Sequence, residues 1–95
     1  MSDKIRNDFA DYGLEILKRS VLLVLYQQPL DSGGQHRRYL RQDAIRKQLN
    51  IQKPLYEPNR LIRGILDILQ EDKYVEYRYE GFWRIKEKGV SFIED

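Results

Sequence analysis

The sequence has no cysteine, a single histidine, a single tryptophan and three prolines among its 95 residues. Without cysteine there is neither a disulfide framework nor a thiolate metal site, so apolar packing must hold the fold and a cytoplasmic setting is the expectation. His36 has no second histidine to join it, so metal-ligand spacing is missing and an exposed loop position is the simpler assignment. Long apolar runs are missing too. The longest, "VLLVLY" from Val21 to Tyr26, falls far short of the roughly 20 residues that a membrane span needs, and nothing has the layout of a signal peptide. No membrane partner is therefore expected. No phosphate-cradling loop is present, because Gly33-Gly34 lacks the following lysine and helix. The acidic pairs Glu71-Asp72 and Glu94-Asp95 fall at element ends, and no nucleophile stands in a motif with a base, so the expectation is not an enzyme, with no cofactor and no metal.

What is present is enough apolar residue, 41% hydrophobic with 12% aromatic, for one domain over residues 1–95 around one core. Net charge is only +2, but it is unevenly distributed. Residues 1–36 carry 4 Lys/Arg and 5 Asp/Glu, residues 37–63 carry 8 and 2, and residues 64–95 carry 5 and 8, giving −1, +6 and −3. A basic block inside a near-neutral chain points toward an anionic partner.

Apolar residues recur at three- and four-residue steps through Leu14, Leu17, Val21 and Val24 or Leu25, which predicts a helix closed before Pro29. Gly13 offers a break between a short lead helix over 1–11, carrying Ile5 and Phe9, and a main helix from about Tyr12 to Gln28. The lead helix would serve either as a dimer arm or as a cover for its own core. "PLDSGGQHRR" reads as a mobile loop without packed side chains, which assigns Arg37 and Arg38 to the loop. Tyr39-Leu40-Arg41 suits a brief strand. A short helix follows from about Gln42 to Leu49, with Ala44 or Ile45 and Leu49 inward and Asn50 suited to the left-handed cap. After "QKPLYEP", Pro58 sits where a first helical residue belongs, and the helix it opens runs to about Asp72. Leu61, Ile62, Ile65, Leu66, Ile68 and Leu69 form its apolar set, leaving a stripe with Arg60, Arg63, Asp67 and Gln70.

"YVEYRYEGFWRIK" alternates as a hairpin. A three-residue loop Tyr79-Glu80-Gly81 sets Arg78 against Phe82, Tyr77 against Trp83, Glu76 against Arg84 and Val75 against Ile85. That register gathers the apolar residues on one face and pairs opposite charges on the other. A two-residue loop would mix them on both faces, so the longer loop is preferred. Tyr77 and Trp83 then have core-face parity, while Tyr79 and Phe82 flank the tip, where an external contact is better placed. "EKGVSFIED" would form a closing turn or helix, with Val90, Phe92 and Ile93 available to the core.

The order of elements, together with "LQEDKYVEYRYEGFWRIKEKGVSFI", resembles the winged helix-turn-helix domain of MarR- and PadR-like regulators over roughly residues 12–93. Lys73 stands where such families usually carry glycine, and the turn from Asn50 to Pro58 is longer than theirs. The resemblance implies an α+β fold: a three-helix core, a C-terminal β-hairpin wing and an extra N-terminal helical segment. It also implies double-stranded DNA as partner, read by the second helix of the pair. Asn59, Arg60 and Arg63 would then face base edges, since arginine donates in a bidentate fashion to guanine and asparagine matches adenine. Tyr56 and Lys53 would reach phosphate or sugar, Arg41, Arg46 and Lys47 would contact phosphates from the shorter helix, and Arg78 or Arg84 would do so from the wing. The expectation is a small transcriptional regulator acting as a homodimer through residues 3–28, with any small-molecule effector unknown. The alternative is a winged-helix module that binds protein and no DNA, which the acidic last third favours.

Overall fold

The structure is a computed structural model that describes residues 3–49 and 58–95, with side chains over 13–49 and 60–95. Helix α1 spans Asp3–Tyr26, strand β1 Leu40–Arg41, helix α2 Gln42–Gln48 and helix α3 Pro58–Glu71. Strand β2 (Val75–Arg78), a tight turn over Tyr79–Gly81, strand β3 (Phe82–Ile85) and helix α4 (Glu87–Glu94) complete the chain. The result is an α+β arrangement of four helices and one three-stranded antiparallel sheet of order β1-β3-β2 among the described residues.

The core gathers the apolar stripe of each element. Val21, Leu22 and Leu25 of α1 meet Ile45 of α2, Ile62, Ile65, Leu66 and Leu69 of α3, and Val75, Trp83 and Ile85 of the sheet, all buried. Each such aliphatic side chain contributes about 1.5–3 kcal/mol through the water it leaves. In α2 only Ile45 is buried, so this short helix depends on one anchor. Its partner α3 places four residues in the core and keeps Arg60, Arg63 and Asp67 exposed.

The hairpin has the register that side-chain parity demands: Val75 opposite Ile85, Glu76 opposite Arg84, Tyr77 opposite Trp83 and Arg78 opposite Phe82. Two residues of its loop take positive φ, Glu80 at 65° and Gly81 at 80°, so glycine is needed at one of them and glutamate is tolerated at the other. Strand β1 joins on the far side of β3, with Leu40 opposite Trp83 and Arg41 opposite Phe82.

Four expectations from sequence are corrected. Gly13 does not break α1, which runs through it without interruption; a lone glycine costs only about 1 kcal/mol in a helix that its neighbours favour. The segment from Pro29 to Arg38 is not a loop without packing. Asp31 N–H donates to His36 O at 2.7 Å and Arg38 N–H donates to Pro29 O at 2.9 Å, forming a small ribbon. Arg37 lies over the Tyr26 ring at 4.9 Å and donates to Gln28 O at 3.1 Å, so this arginine is fastened rather than loose. Tyr77 keeps core-face parity but sits at the rim: it packs on Trp83 with ring centroids 4.9 Å apart and stays 40% exposed. Phe92 is likewise peripheral, packing on Tyr74 at 5.4 Å with Arg19 over its ring. The proposed Asn50 cap and the "QKPLYEP" turn lie outside the described residues.

The junction of α3 and β2 explains Lys73. Tyr74 N–H donates to Leu69 O at 2.9 Å and Lys73 N–H to Gln70 O at 3.0 Å, the hydrogen-bond pair of a Schellman motif. That motif needs a left-handed residue, and Lys73 supplies it at φ 66°. Gly89 of α4 answers a different demand. A Cβ there would lie 2.5 Å from Tyr74 O and 2.7 Å from Ile85 Cγ1. The helix can therefore pass the end of the sheet at this distance only without a side chain.

Candidate nucleic-acid interface

The residues singled out from sequence fall into three groups. The first is on α3. Arg60 is exposed, and Arg63 is 49% exposed with its Nε 3.0 Å from Asp67 Oδ1. The Arg63 guanidinium also lies 5.3 Å from the Tyr77 ring centroid and 5.5 Å from that of Trp83, so the helix presents it at the β2 edge of the sheet. An exposed i,i+4 pair contributes only about 0.3–0.5 kcal/mol, so Asp67 is readily exchanged for a stronger anion. Asn59 belongs to α3 by its backbone, but its side chain lies outside the described residues, as do Tyr56 and Lys53.

The second group is on α2. Arg46 Nη2 lies 3.4 Å from Asp43 Oδ1 and Lys47 Nζ 3.6 Å from Asp43 Oδ2, one carboxylate serving two cations. The Arg46 hydrogen bond first, and then the charge of Lys47, hold the Asp43 carboxyl below its ordinary value of 3.8. The carboxylate also occupies the first turn of α2, where the helix dipole favours negative charge.

The third group is on the sheet. Strand alternation puts Arg41, Glu76, Arg78, Phe82 and Arg84 on the face opposite the buried Val75, Trp83 and Ile85. There the arginines lie over aromatic rings: Arg84 over Tyr39 at 4.6 Å, Arg78 over Tyr39 at 5.4 Å and over Tyr79 at 5.3 Å, Arg41 over Phe82 at 5.7 Å. Arg84 also hydrogen-bonds Glu76, the cross-strand pair that the register anticipates. The ribbon before β1 brings Arg37 and Arg38 to the same place. With Tyr39, Arg78, Phe82 and Arg84 they line an open cavity of about 420 Å³.

Arg37 and Arg38, taken from sequence as loop residues, and Tyr39, taken only as part of a brief strand, are thus cavity residues that sequence reasoning did not single out. The only local signal was the dense run "RRYLR", and no periodicity tied it to the hairpin. Of the two aromatic residues expected at the tip, Tyr79 is 63% exposed, while Phe82 is half-buried beneath Arg41. Asp31 also lines the cavity. Partial desolvation pushes its carboxyl up, but backbone N–H groups of Gln35, His36 and Gly33 together outweigh that and leave it below the ordinary value. Its charge is spent on the ribbon's own backbone.

Among the described residues no group of three His, Asp or Glu side chains is placed to hold a metal ion, and no helix is long and apolar enough to cross a membrane. No protein-family model matches the chain, and no curated protein or solved structure matches it.

Proposed function

We propose that this protein is a winged-helix module that binds double-stranded DNA, with α3 in the major groove and the β2–β3 hairpin as the wing. The observation that carries this reading is the division of α3. Ile62, Ile65, Leu66 and Leu69 are buried, which fixes the helix against α1 and the sheet, while Arg60 and Arg63 stay exposed near its start. A recognition helix needs that combination of rigid seating and exposed guanidinium groups, and the Asp67 carboxylate that holds Arg63 is a weak surface partner that DNA can replace. The element order supports it as well, with β1 completing the sheet ahead of a helix pair and a hairpin following it. In this reading Arg60, Arg63 and Asn59 meet base edges, Arg41, Arg46 and Lys47 meet phosphates, and Arg78 and Arg84 extend contact from the wing.

The proposed assembly is a homodimer, because one such module contacts too few base pairs for high specificity. Ile16 and Leu23, seven residues apart on α1 and 56% and 43% exposed, support α1 as the contact. Analytical ultracentrifugation that found only monomer at tens of micromolar protein would remove this part of the proposal.

The test of DNA binding is a titration of duplex DNA at two salt concentrations. Binding through several phosphates must weaken steeply as salt rises, with a log–log slope of about −0.9 per phosphate neutralised. Arg60→Ala with Arg63→Ala should lose about 1–3 kcal/mol for each base contact removed and change sequence preference. Failure to bind duplex at low salt would defeat the reading. A second reading, docking of an acidic protein by the same module, draws on the carboxylate partners that Arg46, Lys47, Arg63 and Arg84 already hold. It predicts no duplex binding at either salt concentration.

A further inference from the structure

We propose that the cavity on the outer face of the sheet is a binding site for a compact polyphosphate anion, of the di- or triphosphate class, free or carried by a nucleoside. The site stands apart from α3 and does not rest on the recognition-helix reading.

Charge is the first reason. Arg37, Arg38, Arg78 and Arg84 line the cavity with Asp31, and Glu76 is bonded to Arg84, four cations against two anions, in a chain whose whole net charge is +2. The rest of the chain therefore sums to zero, and the charge excess around this cavity equals that of the whole protein. The two carboxylates are also engaged: Glu76 with Arg84, and Asp31 with the N–H groups of Gly33 at 3.1 Å and Gln35 at 3.4 Å. Arg38 and Arg78 have no carboxylate partner among the described residues.

Geometry is the second reason. Arg78 and Arg84 both rest on the Tyr39 ring. Arg84 Nε already donates to Glu76, so the Arg78 guanidinium and the Arg84 Nη groups are the donors left for bidentate phosphate recognition. Both guanidiniums lie over the Tyr39 ring, so the aromatic ring that lines the cavity beside them is already engaged by protein cations. The site should read phosphates and be indifferent to what they are attached to.

Shape is the third. The cavity, about 420 Å³, falls in the range of about 300–1,000 Å³ typical of small-ligand sites. It is walled on one side by the Asp31–Arg38 ribbon and on the other by β2 and β3, a space of the size that a small anion fills. The ribbon's hydrogen bonds, with Arg37 fastened to Gln28 O and Tyr26, hold that wall in place before any ligand arrives.

The experiment is isothermal titration of the full chain with sodium tripolyphosphate and, separately, ATP without divalent metal, against sodium sulfate at matched ionic strength. Saturable one-to-one binding is expected for both phosphates, with affinities within about threefold of each other and well above that of sulfate. The variant Arg38→Ala/Arg78→Ala should weaken both by at least about tenfold, the effect of losing charge-assisted hydrogen bonds. Arg60→Ala/Arg63→Ala should leave both unchanged, whatever it does to duplex binding, so the two readings fail separately. In the unaltered protein, the Nε–H signals of Arg38, Arg78 and Arg84 should shift on titration, which covers the case of a variant that does not fold. Binding no tighter than sulfate, equal losses in the two double variants, ATP binding without tripolyphosphate binding, or silent arginine signals would each overturn the proposal.

Discussion

Replacing Gly89 by alanine adds one methyl group at a point where the fold has no room for it. A Cβ at this position lies 2.5 Å from Tyr74 O and 2.7 Å from Ile85 Cγ1, against 3.4–4 Å for ordinary contact. The carbonyl cannot simply swing away, because it accepts the Lys86 N–H at 2.8 Å and belongs to the residue whose own N–H closes the α3 terminus. Overpacking of this kind costs about 1–3 kcal/mol. Losing the Lys86 hydrogen bond adds about 0.5–1.5 kcal/mol. Against these stands a gain of about 1 kcal/mol, because alanine favours a helix over glycine. The net expectation is a destabilisation of about 2 kcal/mol. In a domain of 60–100 residues each kcal/mol moves Tm by about 4–8 °C, so Gly89→Ala should melt roughly 8–16 °C below the parent. Circular dichroism follows the helices, and fluorescence of Trp83, buried in the core, follows the packing. Gly13→Ala is the internal comparison: nothing lies within 4 Å of its Cβ, so it should hold or raise Tm. If Gly89→Ala were as stable as the parent, α4 would not approach the sheet as described.

Two further outcomes follow from the backbone and the charge pairs. Lys73→Gly should stabilise the protein by about 0.5–1 kcal/mol, since the residue holds φ 66° in the Schellman motif and glycine takes that conformation without Cβ strain; chemical denaturation with an unchanged m-value measures it, and a loss of stability would contradict it. Asp43 should titrate below 3.8 by carbon-detected NMR, and Arg46→Ala should move the midpoint back up. Because the folded carboxyl is depressed, the stabilisation from this pair is present above about pH 4 and fades as pH falls through the lowered value; a midpoint unmoved in Arg46→Ala would contradict the pairing.

Much of the chain was legible because its information is local. The Tyr79-Glu80-Gly81 loop and the alternation on either side of it determined the hairpin register residue by residue, since a slip of one position would have sent Val75 and Trp83 to the wet face. Pro58 and the spacing from Ile62 to Leu69 likewise determined where α3 begins and which face it buries. Gly13 misled because a weak local breaker was outvoted by the helix on both sides.

What the tertiary structure decided is everything that depends on segments distant in sequence. A two-residue strand carries too little pattern to name its partner, so only the fold shows β1 beside β3. "SGGQHRR" has the composition of a free loop, and only the cross-links from Asp31 to His36 and from Arg37 to Tyr26 and Gln28 make it a wall. Gly89 stands in plain view in "EKGVSFIED", but its reason lies fifteen residues away in the Tyr74 carbonyl. The arginine-lined cavity has the same origin: sequence supplies the charges, and the pairing of β1 with β3 supplies the place where they meet, because electrostatic sites depend on distance in space and not along the chain.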